Sequence, residues 1–241
     1  MRLHLFERLI DFIKRKLSIT LKWRGKDNEN LKLHFIGVGC GGINIVNYLY
    51  KTLSHKYSFA ICDMDKKVLE LSHIPNKIQI GSSGLGSSNN LFKAREEAEK
   101  ENGKIQELID REKDIIFLIS CFGGGSGTGI TPILAREAKQ LNKKIIAFII
   151  KPFNFEGELK KIISEGEIKY LNKETDTIFY FENENIIKEF GEMGLFESLQ
   201  KVNEIIKDEI KHLIFHLYNN QGNLNDYYLV KNKNLIRIYK S

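Results

Sequence analysis

Residues 114–131 read DIIFLISCFGGGSGTGIT. The apolar run Ile115–Cys121 has strand length and no alternation, which suits a strand buried on both faces of a parallel sheet. It runs into Gly123, Gly124, Gly125, Ser126, Gly127, Thr128 and Gly129, ahead of a helix predicted over 129–141. Five glycines with two hydroxyls between them make a nest of N–H donors at a helix start, an arrangement that suits a chain of phosphates. Packing explains such a loop poorly, because flexible residues cost conformational entropy and bury no side chain. No Lys follows the glycines, so this is not the GxxxxGK[ST] phosphate loop.

Working outward, a second glycine cluster precedes it. LKLHFIG (31–37) predicts a strand entering GVGCGG, with Gly37, Gly39, Cys40, Gly41 and Gly42 ahead of a helix Ile43–Leu53. The cluster contains GxGxxG, and the next predicted strand, Tyr57–Cys62, ends at Asp63 and Asp65. That spacing is a dinucleotide-binding fingerprint, so an NAD-dependent Rossmann oxidoreductase is one reading. It leaves the second glycine loop unexplained. Further strands are predicted at Lys77–Ile80, Lys144–Ile150 and Thr177–Phe181, and helices at Asn90–Leu108 and 158–171. Leu199, Val202, Ile206, Ile210, Leu213 and Leu217 then mark a long helix over 195–218. The fold class is α/β: a Rossmann-like, mostly parallel sheet with helices on both faces and a long helix near the C-terminal end.

The 241 residues are 42% hydrophobic and 28% charged, a globular balance that excludes disorder and fibrous repeats. The net charge of +6 is concentrated in residues 1–25, where seven Lys/Arg face only Glu7 and Asp11. The remainder is nearly neutral, so the main domain carries no basic face for nucleic acid. Residues 1–24 place Leu5, Leu9, Phe12, Ile13 and Leu17 near a helical period and predict a basic amphipathic helix suited to an anionic membrane surface. Residues 25–30 read as a linker and 31–241 as one nucleotide-binding domain. Three Cys without CxxC spacing fit a reducing cytoplasm. No apolar run approaches the roughly 18 residues of a membrane span.

With these motifs in hand, the chain resembles the FtsZ/tubulin family of GTPases, and FtsZ more than tubulin. Its GGGSGTG matches the family's GGGTG[ST]G loop, and GVGCGGINIV, with Asn44, matches GVGGGGxNxV. Asp63-Met64-Asp65 stands at the family's Asn-Thr-Asp triplet. GLGSSNNLFKAREEA keeps Gly84, Gly86, Asn90 and Arg95 of a third loop, KPFNFEG (151–157) is intact, and DTIFYFEN echoes a strand ending in Pro-Asn.

The resemblance implies GTP or GDP as ligand, with Mg²⁺ bridging the phosphates and no protein metal ligand assigned. It places phosphates at Gly37–Gly42 and Gly123–Gly129, a γ-phosphate sensor at Gly84–Asn90, the ribose at Glu156 and the base at Asn183. Gln200 stands where the family has a guanine-reading Asp, and Lys160 replaces an Arg. In FtsZ-like polymers the next subunit's acidic loop polarises the attacking water. Here LNDYYLVK supplies Asp226 as the catalytic candidate but Leu229 in the second acidic position. The resemblance also implies that the family's C-terminal domain is absent after Ser241. It implies a cytoskeletal or cell-division GTPase with slow hydrolysis alone, self-associating or co-assembling with a full-length FtsZ homologue. A nucleotide-bound regulatory module that does not polymerise is the alternative from another class.

Overall fold

The computed structural model describes residues 31–109, 112–185, 194–220, 223–224, 227 and 236–240. Residues 1–24, the linker 25–30, Asp226 and Leu229 lie outside the described residues. Seven strands form one sheet in the order β3 (Lys77–Gln79), β2 (Ser58–Asp63), β1 (Leu33–Val38), β4 (Ile115–Cys121), β5 (Lys144–Ile150), β6 (Thr177–Phe181) and β7 (Ile236–Lys240). All neighbours are parallel except β6 and β7, which pair antiparallel from Thr177↔Lys240 to Phe181↔Ile236. The sequence IRIYK alternates over only five residues, too short a signal to stand out as an edge strand.

Between strands run α1 (Gly39–Leu53), α2 (Lys66–Glu70), α3 (Leu91–Lys100), α4 (Asn102–Leu108), α5 (Ser126–Gln140) and α6 (Glu158–Leu171), and then α7 (Leu195–Asn219). The sheet buries both faces. On one, Phe59, Phe35, Phe117, Phe148 and Phe179 stack across five strands at 4.6–6.2 Å between ring centroids, with Tyr50 of α1 edge-on to Phe59. On the other, Ile36, Ile116, Leu118 and Ala147 pack with Ala94 and Ala98 of α3, Ile133 and Leu134 of α5 and Leu171 of α6.

Two expectations shift. The helices after the glycine loops begin inside the glycines, at Gly39 and Ser126. Glycine reads as loop by propensity, yet in a first turn it lets two backbones meet. The single helix expected over 90–108 is two, broken at Glu101. The Glu101 carboxylate accepts the Gly81 N–H at 2.7 Å and holds Lys104 at 2.9 Å, and Gly103 follows as a weak helix former.

The molecule divides into two compact units. Lys32–Glu209 with Tyr228–Ser241 hold the sheet, and Ile210–Tyr227 belong to the other. Within the second, His216 meets the Tyr227 ring edge-on at 5.1 Å. No helix among the described residues is long and apolar enough to cross a membrane.

Candidate functional site

β1 and β4 lie side by side at the centre of the sheet, and the chain leaves them in opposite directions, toward β2 and β5. Their C-terminal ends form a topological switch point, where open α/β sheets place ligands. Both glycine loops sit there. Gly39 has φ +74°, and a Cβ on it would stand 2.7 Å from the Gly127 nitrogen, so only glycine lets the loops interlock. Ser120 Oγ ties the strand ends together by donating to Val38 O at 3.2 Å.

The two helices that open at this point are uncapped. α1 and α5 have no side-chain cap and no acidic residue in the first turn. By contrast α2 is capped by Asp65, and Asn90 caps α3 by accepting from Phe92 N at 3.0 Å and Lys93 N at 3.1 Å. Two helix N-termini with free N–H groups therefore converge on one place, which is the physical description of an anion site.

Around them is a cavity of about 560 Å³, a size suited to a nucleotide. It is lined by Gly39, Cys40, Gly41, Gly124, Gly125, Ser126 and Gly127 of the two glycine loops, and by Asn44, Asp63, Asp65 and Gly86. Glu156, Lys160 and Asn183 also line it, with Lys160 packed beside Gly123 of the second glycine loop. The third loop closes onto the end of β2 through Gly86 N to Met64 O and Lys66 N to Gly84 O, both 3.1 Å. A Cβ on Gly125 would collide with the Ser87 hydroxyl, so this loop and the glycine loop are in backbone-to-side-chain contact.

Several expected residues support the cavity without lining it. Gly37 and Gly42 pack against Val46 and Ile119, and Gly84 against Lys66. Asn90 is committed to its cap. Gly123 donates its N–H to Thr128 Oγ1 at 3.0 Å, which turns that hydroxyl inward, and Gly129 abuts Leu91 and Ala94 of α3. Ser87, Ser88 and Asn89 line the cavity instead, and the left-handed φ of Ser88 (53°) and Asn89 (60°) marks the tight turn that presents them.

The structure also separates neighbours on α7. Gln200 is exposed and outside the cavity lining, whereas Leu199, Val202 and Asn203 line it. Spacing of three and four residues puts those three on one helix face, and Gln200 is turned away by about 100° from Leu199. Asn203 is 7% exposed, so an amide is what α7 offers a ligand. Asn183 donates through Nδ2 to Lys151 O at 2.7 Å, leaving its buried Oδ1 without a partner. That oxygen is an open acceptor for an N–H donor.

The two lysines that line the cavity are each paired with a glutamate. Glu156 accepts Phe153 N at 2.9 Å and holds Lys160 at 3.1 Å, and Lys151 holds Glu165 at 2.6 Å. Burial pushes the Cys121 thiol up to about 12. Burial and the nearby Asp63 and Asp65 also raise Cys40 above the ordinary thiol value. Both thiols stay protonated at neutral pH, which makes them poor nucleophiles. Among the described residues no three or more His, Cys, Asp or Glu are grouped to hold a metal ion.

The profile of the Tubulin/FtsZ family, GTPase domain, matches residues 32–191. The chain is 34% identical over 200 residues to the mitochondrial division protein fszB of Dictyostelium discoideum, covering 80% of this chain and 54% of that one. It is 31% identical over 188 residues to the cell division protein FtsZ of Buchnera aphidicola subsp. Baizongia pistaciae, covering 76% and 49%. The chain spans about half the length of the curated relatives it matches. Among solved structures, the empty FtsZ dimer of M. jannaschii superposes with a TM-score of 0.72 at 23% identity, over 83% of this chain and 58% of that one. CetZ1 from Haloferax volcanii, a GDP-bound monomer, gives 0.69 at 24% identity, over 76% and 60%. The family binds GTP and GDP, and its members assemble into protofilaments. With its interlocked glycine loops at the switch point of a mostly parallel sheet, this chain belongs to the Tubulin/FtsZ family and carries its GTPase domain.

Proposed function

We propose that the chain binds a guanine nucleotide in this cavity and serves as a GTPase of the cell-division cytoskeleton. The observation that supports this most is the convergence of two uncapped helix N-termini through loops that touch at Gly39 and Gly127. A single fingerprint loop, as in an NAD enzyme, does not account for the second nest or for the cavity extending to Glu156 and Asn183. In this reading Mg²⁺ arrives with the substrate, held by its phosphates. Nucleotide released from purified protein and direct binding of GTP, ATP and NAD test the reading. Guanine nucleotide is the expected ligand, and tighter NAD binding rejects it.

Base choice follows from Asn183 and Asn203. Guanine offers N–H donors to the Asn183 oxygen, while the Asn203 amide can both donate and accept. Asn203→Asp leaves an acceptor only and strengthens the bond to a guanine N–H. It is expected to widen the preference for GTP over ATP by about tenfold, read from competition binding. An unchanged ratio removes Asn203 from base recognition.

Leu85 of the cavity lining is exposed, as are Phe92, Phe155 and Phe196 elsewhere on the described surface, and a second subunit would bury such side chains on assembly. Sedimentation with GTP and Mg²⁺ reads self-association, and addition of a full-length FtsZ homologue reads co-assembly. A protein that binds GTP yet stays monomeric in both is the regulatory module instead. For residues 1–24 we propose peripheral contact with anionic lipid at the inner face of the cell membrane, the rest of the chain lying in the cytoplasm. Full-length protein is expected to float with anionic liposomes and a version starting at Asn28 to stay behind. Equal flotation removes that contact.

A further inference from the structure

A second cavity, of about 340 Å³, is formed by α6, β6 and β7, and shares only Lys151 with the lining of the first. Its floor is polar and uncharged. Tyr180 of β6 lines it at 3% exposure, and its hydroxyl has no hydrogen-bond partner. Asn172, just past the end of α6, also lines it, with a buried Oδ1 that is likewise unpartnered. Ser164, about two turns earlier in α6, is fully buried. Its hydroxyl is close enough to favour a phenolate at Tyr180 but makes no formed hydrogen bond. Folded proteins leave few buried polar atoms without partners, so three around one cavity point to a group that completes them. The rim is different. Lys169, Arg237 and Tyr239 are exposed there. Lys151 holds Glu165 at 2.6 Å and Arg237 holds Glu182 at 3.2 Å, whereas Lys169 makes no ion pair among the described residues. Three cations against two carboxylates leave one positive charge over.

We infer that this cavity binds a small aromatic hydroxycarboxylate, with its hydroxyl between Tyr180 and Asn172 and its carboxylate at Lys169. A hydroxyl is the smallest group that donates to the Asn172 oxygen while accepting from the Tyr180 O–H, and it satisfies both without burying a charge. Burial, Glu165 and Glu182 push the Tyr180 phenol above its ordinary value, against the pull of Ser164, so it keeps the proton that it donates. A carboxylate on the floor would lose its hydration with no cation to replace it. At the exposed rim it meets the unpaired Lys169 ammonium and stays partly hydrated. Between the two ends, Ile168 and the Tyr239 ring, edge-on to Tyr180 at 6.3 Å, offer an apolar wall for a ring. Exposed side chains change rotamer within nanoseconds, so the rim yields to an entering ligand. The site stands apart from the nucleotide reading.

The test is a saturation-transfer NMR titration of the full chain, without nucleotide, using 4-hydroxybenzoate, benzoate and phenol. The first is expected to bind most tightly, with about tenfold weaker binding once either its hydroxyl or its carboxylate is missing. Tyr180→Phe keeps the ring and removes only an unpartnered hydroxyl, so its melting temperature should not fall. It should abolish the preference for 4-hydroxybenzoate over benzoate and keep the preference over phenol. Lys169→Gln should do the reverse. Should Tyr180→Phe not fold, Asn172→Ala provides the same contrast. Equal affinity for the three probes, or no binding up to about 10 mM, overturns the inference. So does a hydroxyl preference that survives both Tyr180→Phe and Asn172→Ala. A crystal structure with 4-hydroxybenzoate in which an ordered water still bridges Tyr180 and Asn172 overturns it as well, because water then completes the floor.

Discussion

Gly125→Val is expected to weaken guanine-nucleotide binding by on the order of 10²–10⁴-fold, the loss of about two charge-assisted hydrogen bonds. A side chain there collides with Ser87 Oγ and stands 2.9 Å from Asn90 N, so it drives the third loop off the glycine loop. The N–H groups at the start of α5 then lose their common focus. Gly124→Ala is the companion that keeps the fold. Its Cβ would meet only Asn89 Oδ1, at 3.7 Å, an ordinary contact. The methyl is expected to leave the melting temperature nearly unchanged and to weaken binding by about tenfold through crowding at the cavity wall. Both affinities are read by titration with labelled GTP, alongside thermal melts. Undiminished affinity in a folded Gly125→Val protein removes this loop from the site.

Why the glycine loops are legible in the sequence follows from the role proposed for them. Backbone N–H groups bind the anion, and the requirement that backbones approach leaves a mark in composition: glycines at 37–42 and 123–129, each after an apolar run. The strands are legible for a related reason. Runs such as Lys144–Ile150 and Thr177–Phe181 are buried on both sides and lack alternation, so their ends agree with the structure. What sequence does not carry is the register of side chains on α7. LFESLQKVN offers three polar side chains within a turn, and only the helix phase decides that Asn203 faces the cavity and Gln200 the solvent. Leu199 one turn earlier is the available signal, since it shares a stripe with Asn203 and Val202.

A second gap concerns which polar residues serve the ligand and which serve the fold. Asn90 and Asp65 both look like ligand contacts by position, yet each caps a helix. Thr128 lies within the phosphate loop but is fully buried and accepts from Gly123. Ser and Asn in a turn satisfy local N–H groups as readily as a ligand. Only the three-dimensional partner separates the two roles, as it does for the Asn183 oxygen left open in the cavity wall.

Steady-state phosphate release by this chain alone is expected to run about 10²–10⁴-fold slower than in mixed assemblies with a full-length FtsZ homologue. Hydrolysis needs a group to orient and deprotonate the attacking water. The described residues of the cavity do not supply one. Glu156 is tied to Phe153 N and Lys160, and Asp65 Oδ1 caps α2 by accepting from Lys67 N at 2.9 Å. Asp63 is buried at the end of β2, where it accepts the Asp65 N–H at 3.1 Å. In the proposed assembly the acid is Asp226, which a neighbouring subunit would bring to the γ-phosphate, and its expected partner position is Leu229, which can neither accept a proton nor hold water. One positioned acid in place of two, delivered only on assembly, makes turnover dependent on both chemistry and proximity. GTP should therefore bind and persist in the isolated chain. Asp226→Ala should leave its affinity and slow basal release unchanged while lowering release in self-assembled filaments, and Leu229→Asp should raise it there. Rapid turnover by dilute monomer, at rates typical of enzymes and insensitive to both substitutions, rejects the shared site and places the base within one subunit.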